Sequence, residues 1–145
     1  NLKAIGEILI SDIKRRKLKI EELITKFELD AVRKVEAKFL SGGMKRRLVI
    51  SMALLGEPEI LLMDEPLAAL DPQTIQMLQT IIIRLQSEYN LTILITDHQA
   101  RDLLVVCDRA VILSNSKIVA EGTPNQLMKN EDATKYYFGD NFKFK

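Results

Sequence analysis

The chain has 145 residues, of which 47% are hydrophobic, and this is enough for one compact domain with a core. Lys and Arg together number 21 against 20 Asp and Glu, and the net charge of +1 gives no electrostatic case for a nucleic-acid partner. No apolar run approaches the ~20 residues that span a bilayer, and no signal peptide is visible. The single Cys107 excludes an internal disulfide and predicts a buried thiol in a reducing compartment. Composition therefore predicts a soluble, cytosolic chain.

The first 39 residues show helical periodicity, with apolar residues recurring at i, i+3, i+4 and i+7. Two apolar stripes are predicted: Leu2, Ile5, Leu9 and Ile13, then Ile20, Leu23, Ile24 and Phe27. Between them lies a basic run, Lys14 to Lys17. This run is typical of a solvated helix end, and a contact with lipid or a partner is the alternative.

A glycine pair then precedes a helical pattern. Ser41 is a good N-cap, and the helix after it has a predicted apolar face of Leu48, Met52 and Leu55. A helix start offers unpaired N–H groups, and Gly42 and Gly43 have no side chains to hold an anion away. The stretch predicts either a simple capped helix or a phosphate-binding turn, and its spacing to the next motif favours the second.

That next motif is an apolar strand over 59–63 that ends in two carboxylates, Asp64 and Glu65. Asp71-Pro72 starts a helix that runs to Tyr89, where Asn90 closes it. A second apolar strand, 91–95, ends in Thr96-Asp97-His98. The strand–helix–strand order predicts a right-handed crossover between two parallel, fully buried strands.

The remainder predicts a short helix over 99–106 and two strands over 109–114 and 117–121, joined by a tight turn at Asn115-Ser116. A break at Gly122-Thr123-Pro124 precedes a short helix near 125–130. A polar and aromatic tail begins at Asp132.

Polar residues follow the two strands, where ligands of open α/β sheets bind, and three of them are site candidates. Asp64 is the candidate to hold Mg²⁺ through water, and Glu65 is the candidate general base for an attacking water. His98 is the only histidine. Three candidates have a structural alternative: Asp64 as a cap of the following loop, His98 as a structural histidine, and Asp71 as a helix cap alone.

Four motifs in this order resemble those of the ATP-binding cassette (ABC) ATPases. Leu40 to Met44 resembles their signature motif, Ile60 to Glu65 the Walker B strand with its catalytic Glu, Ala68 to Asp71 the D-loop, and Thr96 to His98 the switch-histidine loop. The resemblance implies an α/β fold, part of a P-loop NTPase cassette, with a mainly parallel sheet, flanking helices and a helical subdomain.

The resemblance also implies ATP and Mg²⁺ as cofactors and a head-to-tail dimer with a second cassette. Ser41, Gly42 and Gly43 of one cassette would close over the ATP held by the other, and Asp71 would cross that interface. His98 would contact the γ-phosphate. Transmembrane permease subunits would be the further partners, and the chain would lie on the inner face of the cytoplasmic membrane.

The sequence departs from the family pattern at several points. No G-x-x-x-x-G-K-[ST] phosphate loop occurs, so the chain is expected to be the C-terminal part of a cassette. The expected parts are a partial helical subdomain over 1–39, a catalytic core over 40–124, and a C-terminal helix and tail over 125–145. Met44 replaces a common Gln or Glu, and Ala68 and Ala69 stand where a Ser is frequent.

The branch of the family follows from further stretches. Asp64-Glu65-Pro66 followed by Ala-Leu-Asp-Pro resembles the transporters. The ATPases of lipopolysaccharide export are resembled by residues 95–101, 106–110, 121–124 and 137–142. Two alternatives stay open: the ATPase of a branched-chain amino acid importer, and a non-catalytic remnant or binding module that lacks its primary nucleotide site.

Overall fold

A computed structural model describes residues 1–138, apart from the side chain of Tyr136. The described residues form two compact units, residues 1–96 and the part of the chain that follows from Asp97. The expected division into 1–39, 40–124 and 125–145 stays a prediction. In the described residues, no helix is both long and apolar enough to cross a membrane.

The first unit contains most of the helices. Its elements are α1 (Leu2–Leu9), α2 (Ile13–Lys26), two 3₁₀ turns (Asp30–Val32 and Ala37–Phe39), α3 (Gly42–Leu54), β1 (Ile60–Asp64), α4 (Pro72–Tyr89) and β2 (Thr92–Thr96). The predicted helical character of the first 39 residues is thus confirmed over α1 and α2.

The first predicted stripe is wrong at its end. The chain leaves the helix at Ile10, and Asp12 caps a new helix by accepting hydrogen bonds from the backbone N–H groups of Lys14 and Arg15. Ile13 therefore begins α2, and the last two residues of the predicted stripe are exposed, Leu9 by 51% and Ile13 by 58%, whereas Leu2 is buried. The second stripe is confirmed by α2, because Ile20, Leu23 and Phe27 are buried.

The strand–helix–strand unit is confirmed. β1 and β2 pair in parallel from Ile60 opposite Thr92 to Asp64 opposite Thr96. Helix α4 connects them, with Asp71 as its N-cap, and Asn90 ends it in the left-handed conformation at φ 51°. The predicted stripe of α4 is buried: Ile75, Leu78, Ile82 and Leu85.

The full burial predicted for β1 and β2 is wrong. Leu61 and Met63 are buried, but Ile60 is 60% and Leu62 70% exposed, and Leu94 on β2 is 60% exposed. Successive side chains of a strand point to opposite faces, so one apolar face of this two-stranded sheet is open. A strand apolar on both faces needs cover on each, and residues 1–96 supply cover on one.

The second unit is built around a hairpin. Its elements are α5 (Ala100–Leu104), β3 (Ala110–Ser114), β4 (Lys117–Gly122), α6 (Pro124–Leu127), α7 (Glu131–Ala133) and a π-helical turn (Thr134–Phe138). β3 and β4 are antiparallel, and Asn115 and Ser116 make the predicted tight turn at φ 49° and 61°. The core of this unit consists of Leu104, Ile112, Ala120, Leu127 and Ala133.

Cys107 packs against the core of the second unit. It is partly buried, where the sequence predicted a buried thiol. Burial raises the pKa of the Cys107 thiol, which lowers its thiolate fraction and hence its reactivity. The predicted tail beyond residue 138, including the resemblance at 139–142, lies outside the described residues.

Candidate functional site

The start of α3 is capped as predicted. The Ser41 hydroxyl oxygen accepts a hydrogen bond from the backbone N–H of Met44 at 3.3 Å. The N–H groups of Gly42 and Gly43, in the first turn, have no acceptor within a helix, and the helix dipole places partial positive charge there. Ser41 and Gly42 are exposed, so an anion can approach this turn.

Gly43 also has a packing role. A Cβ built on Gly43 would lie 2.6 Å from the Cγ2 atom of Thr74, which belongs to α4. A Cβ on Gly42 would lie 3.2 Å from the Cδ2 atom of Leu70. Gly43 therefore allows the close approach of α3 and α4, a packing role that the sequence did not predict.

The buried face of α3 differs from the predicted one. Leu55 is buried, but Leu48 and Met52 are only partly so, and the helix buries Gly43, Arg47, Ile50, Ser51 and Leu54. Two polar residues on that face find partners. The Arg47 Nη1 atom donates to the Phe27 carbonyl and the Glu28 carboxylate, each at 3.1 Å, and the Ser51 hydroxyl donates to the Arg47 carbonyl at 2.7 Å.

Sequence reasoning missed Arg47 because an arginine in a Lys-Arg-Arg run is typical of a solvated face. Its burial becomes possible because the end of α2 presents a carbonyl and a carboxylate to it. A helical wheel that also counted Ser51 would have placed both residues on the face of Gly43.

Asp64 and Glu65 stand at the carboxyl end of the parallel pair. The Thr96 hydroxyl, on β2, donates to Oδ1 of Asp64. The Glu65 backbone N–H donates to the Thr96 carbonyl at 2.7 Å, and Nη2 of Arg46 donates to the Glu65 carbonyl at 3.0 Å. Both carboxylates are exposed. A hydrogen bond from Arg46 thus links α3 to Glu65, the residue predicted as the general base.

The backbone of Glu65 is unusual. Its φ is 45°, in the left-handed region that residues other than Gly seldom adopt. The hydrogen bonds on either side of this residue hold it there, and strained residues of this kind cluster at functional sites. Neither this conformation nor the contributions of Arg46 and Thr96 could be predicted from the sequence.

A magnesium ion fits Asp64 as part of a site that nucleotide and water complete. Within residues 1–138, no group of three or more His, Cys, Asp or Glu side chains could hold a metal ion. Mg²⁺ is usually bound by one or two carboxylates, several waters and substrate phosphates, and does not need a cage of protein ligands. An exposed carboxylate at the end of a strand suits that arrangement.

Asp71 caps α4 with both carboxylate oxygens. The Thr74 hydroxyl donates to Oδ2, and the Thr74 backbone N–H donates to Oδ1 at 3.0 Å. The bond from the hydroxyl, followed by that from the backbone, lowers the pKa of Asp71. The capping prediction is confirmed, and a role of Asp71 across a dimer interface stays a prediction.

His98 lies in the second unit, whereas the other predicted site residues lie in the first. Its side chain is 67% exposed, and its Nδ1 atom is 3.9 Å from Oδ1 of Asp97. The Asp97 side chain is fully buried and accepts a hydrogen bond from the Gln99 backbone N–H at 2.9 Å. The Tyr137 hydroxyl donates to the His98 carbonyl at 3.0 Å. His98 is therefore presented to solvent from a loop whose backbone is held.

Comparison with known proteins gives ABC transporter ATP-binding proteins among the relatives of this chain. Residues 3–68 match the model of the ABC transporter family. The lipopolysaccharide export system ATP-binding protein LptB of Haemophilus influenzae is 41% identical over 145 residues, which cover 99% of this chain and 59% of that protein. LptB of Escherichia coli (strain K12) is 36% identical over 129 residues, covering 89% of this chain and 53% of that protein.

A solved ATP-binding cassette of an ABC transporter, MJ1267 in its ADP conformation, superposes with a TM-score of 0.77. It is 23% identical, and the match covers 89% of this chain and 52% of that one. The chain thus spans between half and three fifths of the length of these relatives. The predicted fold is confirmed: the chain has the fold of the ATP-binding cassettes of ABC transporters, and it is similar to ABC transporter ATP-binding proteins.

Proposed function

We propose that this chain carries two parts of an ATP-hydrolysing subunit of an ABC transporter: the catalytic carboxylates and the signature turn, residues 41–43. The observation that carries the proposal is the carboxyl end of the parallel pair. There the adjacent Asp64 and Glu65 are exposed, and Arg46 of α3 donates a hydrogen bond to the Glu65 carbonyl. The match of residues 3–68 to the ABC transporter family model and the names of the relatives support the same proposal.

The two carboxylates have different tasks in this proposal. Asp64 would hold Mg²⁺, which when bound neutralises charge on the phosphates of ATP. Glu65 accepts the proton of the attacking water. The hydrogen bonds made by its backbone N–H and carbonyl groups hold the backbone of this residue in place. His98 contacts the γ-phosphate from the exposed position that its loop gives it. ATP and Mg²⁺ are therefore the proposed cofactors.

The signature turn serves a nucleotide bound elsewhere. Ser41, Gly42 and Gly43 offer N–H groups and a helix dipole, but Met44 follows the glycines where a primary phosphate loop has its lysine. This combination supports a head-to-tail dimer in which the turn, with Asp71 near the interface, closes over the ATP of a second cassette. Transmembrane permease subunits are the further proposed partners, with the subunit on the cytoplasmic face of the membrane.

The proposed cargo is lipopolysaccharide. The support is that two relatives carrying that function in their names match 89–99% of this chain. Branched-chain amino acid import is the alternative that the sequence leaves open. Stimulation of ATPase activity in the assembled transporter separates them, since lipopolysaccharide should stimulate in one case and leucine with its binding protein in the other.

The test of the catalytic proposal is Glu65→Gln in a complete cassette that contains these residues. A glutamine can orient water but cannot accept its proton, so turnover should fall at least ~100-fold while ATP binding persists. The matched control is Glu59→Gln, because Glu59 is an exposed carboxylate just before β1. Undiminished steady-state turnover in Glu65→Gln would refute the proposed base.

The non-catalytic alternative is tested by calorimetry of the 145-residue chain with Mg-ATP. The sequence holds no phosphate loop, so we expect binding much weaker than a Kd of about 1 μM. Binding at that level would show a second phosphate cradle in these residues. A complete cassette that binds Mg-ATP but never hydrolyses it would favour the binding-module alternative.

A further inference from the structure

The π-helical turn at the end of the described chain contacts the backbone of the loop that carries His98. The Tyr137 hydroxyl lies 3.0 Å from the His98 carbonyl and 3.4 Å from the Asp97 carbonyl. A tyrosine hydroxyl donates one hydrogen, so the nearer carbonyl of His98 receives the stronger bond. The contact reaches the backbone of His98 and leaves its imidazole exposed.

The tyrosine is itself anchored. Its neighbour Phe138 packs against the core of the second unit, which contains Leu104 and Ile112. The rings of Tyr137 and Phe138 meet edge to face, with centroids 5.7 Å apart and an angle of 78°. Burial, with the nearby charge of Asp97, raises the pKa of Tyr137, so the hydroxyl stays a donor at neutral pH. The core therefore fixes the point from which the phenol reaches the loop.

The loop is held on its other side by a different bond. The buried Asp97 carboxylate accepts the Gln99 N–H, which makes a turn around His98. Two restraints thus act on this backbone, one internal and one from Tyr137. The first fixes the local turn, and the second fixes the orientation of the His98 peptide relative to the core of the same unit.

We propose that Tyr137 is a positioning residue for His98. Its hydroxyl orients the His98 peptide, and through it the direction in which the imidazole is presented to the γ-phosphate. The inference rests on the proposed function of His98. It gives Tyr137, which lies outside the four motifs, a role in hydrolysis.

The decisive experiment is a double-mutant cycle on turnover in a complete cassette that contains these residues. Tyr137→Phe keeps the ring that packs beside Phe138 and removes only the hydroxyl. Loss of one such hydrogen bond should lower kcat roughly 3- to 10-fold with little change in KM. In the His98→Ala background the same substitution should change kcat less than about twofold, because the group being oriented is absent.

The control is Tyr89→Phe, which removes another hydrogen-bonded hydroxyl, one that contacts Lys26 and Glu22 in the first unit. It should leave kcat unchanged in both backgrounds. The proposal is overturned if Tyr137→Phe leaves kcat intact, or if it lowers kcat equally with and without His98, since equal losses indicate a purely structural role.

A second measurement separates this inference from the proposed function. Amide hydrogen exchange at Gln99 in the 145-residue chain needs no activity, and Tyr137→Phe should accelerate it several-fold. If His98→Ala leaves turnover unchanged, the proposed role of His98 fails, and with it the positioning role. Unchanged exchange at Gln99 together with a fall in kcat would show that the hydroxyl does not act through this loop.

Discussion

The methyl group of Thr74 fills the space that a side chain on Gly43 would need. The Cγ2 atom lies 2.6 Å from the place of a Gly43 Cβ, closer than such contacts occur. Thr74 has little freedom to move away, because its χ1 is restricted by β-branching and its hydroxyl donates to Asp71. The signature turn and the D-loop are therefore coupled through one threonine.

Gly43→Ala should consequently destabilise the first unit by about 1–3 kcal/mol through overpacking, although alanine in a helix is otherwise favourable. Thr74→Ser removes the methyl group and keeps the hydroxyl, so the Gly43→Ala, Thr74→Ser double variant should recover most of the loss. Denaturant unfolding measures all three proteins. Gly56→Ala is the control, since its Cβ would be 3.6 Å from its nearest neighbour. Additive losses in the double variant would contradict the steric account.

The cap at Asp71 should make stability depend on pH on the acid side. The pKa of Asp71 is lowered in the folded chain, so its contribution is present above the unfolded pKa of about 3.9 and disappears as pH falls through the lower folded pKa. Asp71→Asn keeps an oxygen for the Thr74 N–H but does not titrate. Its free energy of unfolding should therefore fall less between pH 5 and pH 2 than that of the native chain.

Thr74→Val serves as a second test of the same cap, because it removes the hydroxyl that lowers the pKa of Asp71. It should reduce the pH-dependent part of the stability while retaining the backbone hydrogen bond. Equal pH dependence in the native chain and both variants would assign the acid sensitivity to other carboxylates.

Arg47 and Glu28 form an ion pair whose two ends should respond differently to mutation. The Arg47 side chain is 10% exposed and that of Glu28 78% exposed. Arg47→Ala removes a buried stem and leaves the Phe27 carbonyl without this donor, which should cost about 2–4 kcal/mol. Glu28→Gln should cost less than about 1 kcal/mol, as exposed ion pairs contribute little. Denaturant unfolding of both variants checks this, and similar losses would mean that the ion pair itself dominates.

The open face of the two-stranded sheet should make the 145-residue chain associate. Ile60, Leu62 and Leu94 form an apolar surface at the parallel pair. Leu62→Thr should reduce association, seen by sedimentation velocity, and change stability by less than about 1 kcal/mol. Leu61→Thr is the matched control. Leu61 is the preceding residue and is buried, so its substitution should lower the free energy of unfolding by about 2–4 kcal/mol. A native chain that stays monomeric at high concentration would contradict this expectation.

The sequence by itself determined the features that depend on local chemistry. Caps at Ser41 and Asp71, the left-handed stop at Asn90 and the turn at Asn115-Ser116 all follow from side chains that bond their own backbone or tolerate positive φ. The order of four motifs likewise indicated the resemblance to ABC ATPases, and the similar proteins agree with it. These predictions needed no knowledge of what packs against each element.

Only the tertiary structure decided which faces are covered and which polar groups meet. The sequence shows that Ile60 and Leu62 are apolar, but the exposure of their side chains depends on whether another layer of the structure covers them. Arg47 is buried because Phe27 and Glu28, 20 and 19 residues away, present oxygen atoms to it. The restraint of Tyr137 on His98 spans 39 residues. Contacts of this range have no signal in local sequence, because burial and hydrogen-bond satisfaction are properties of the assembled fold.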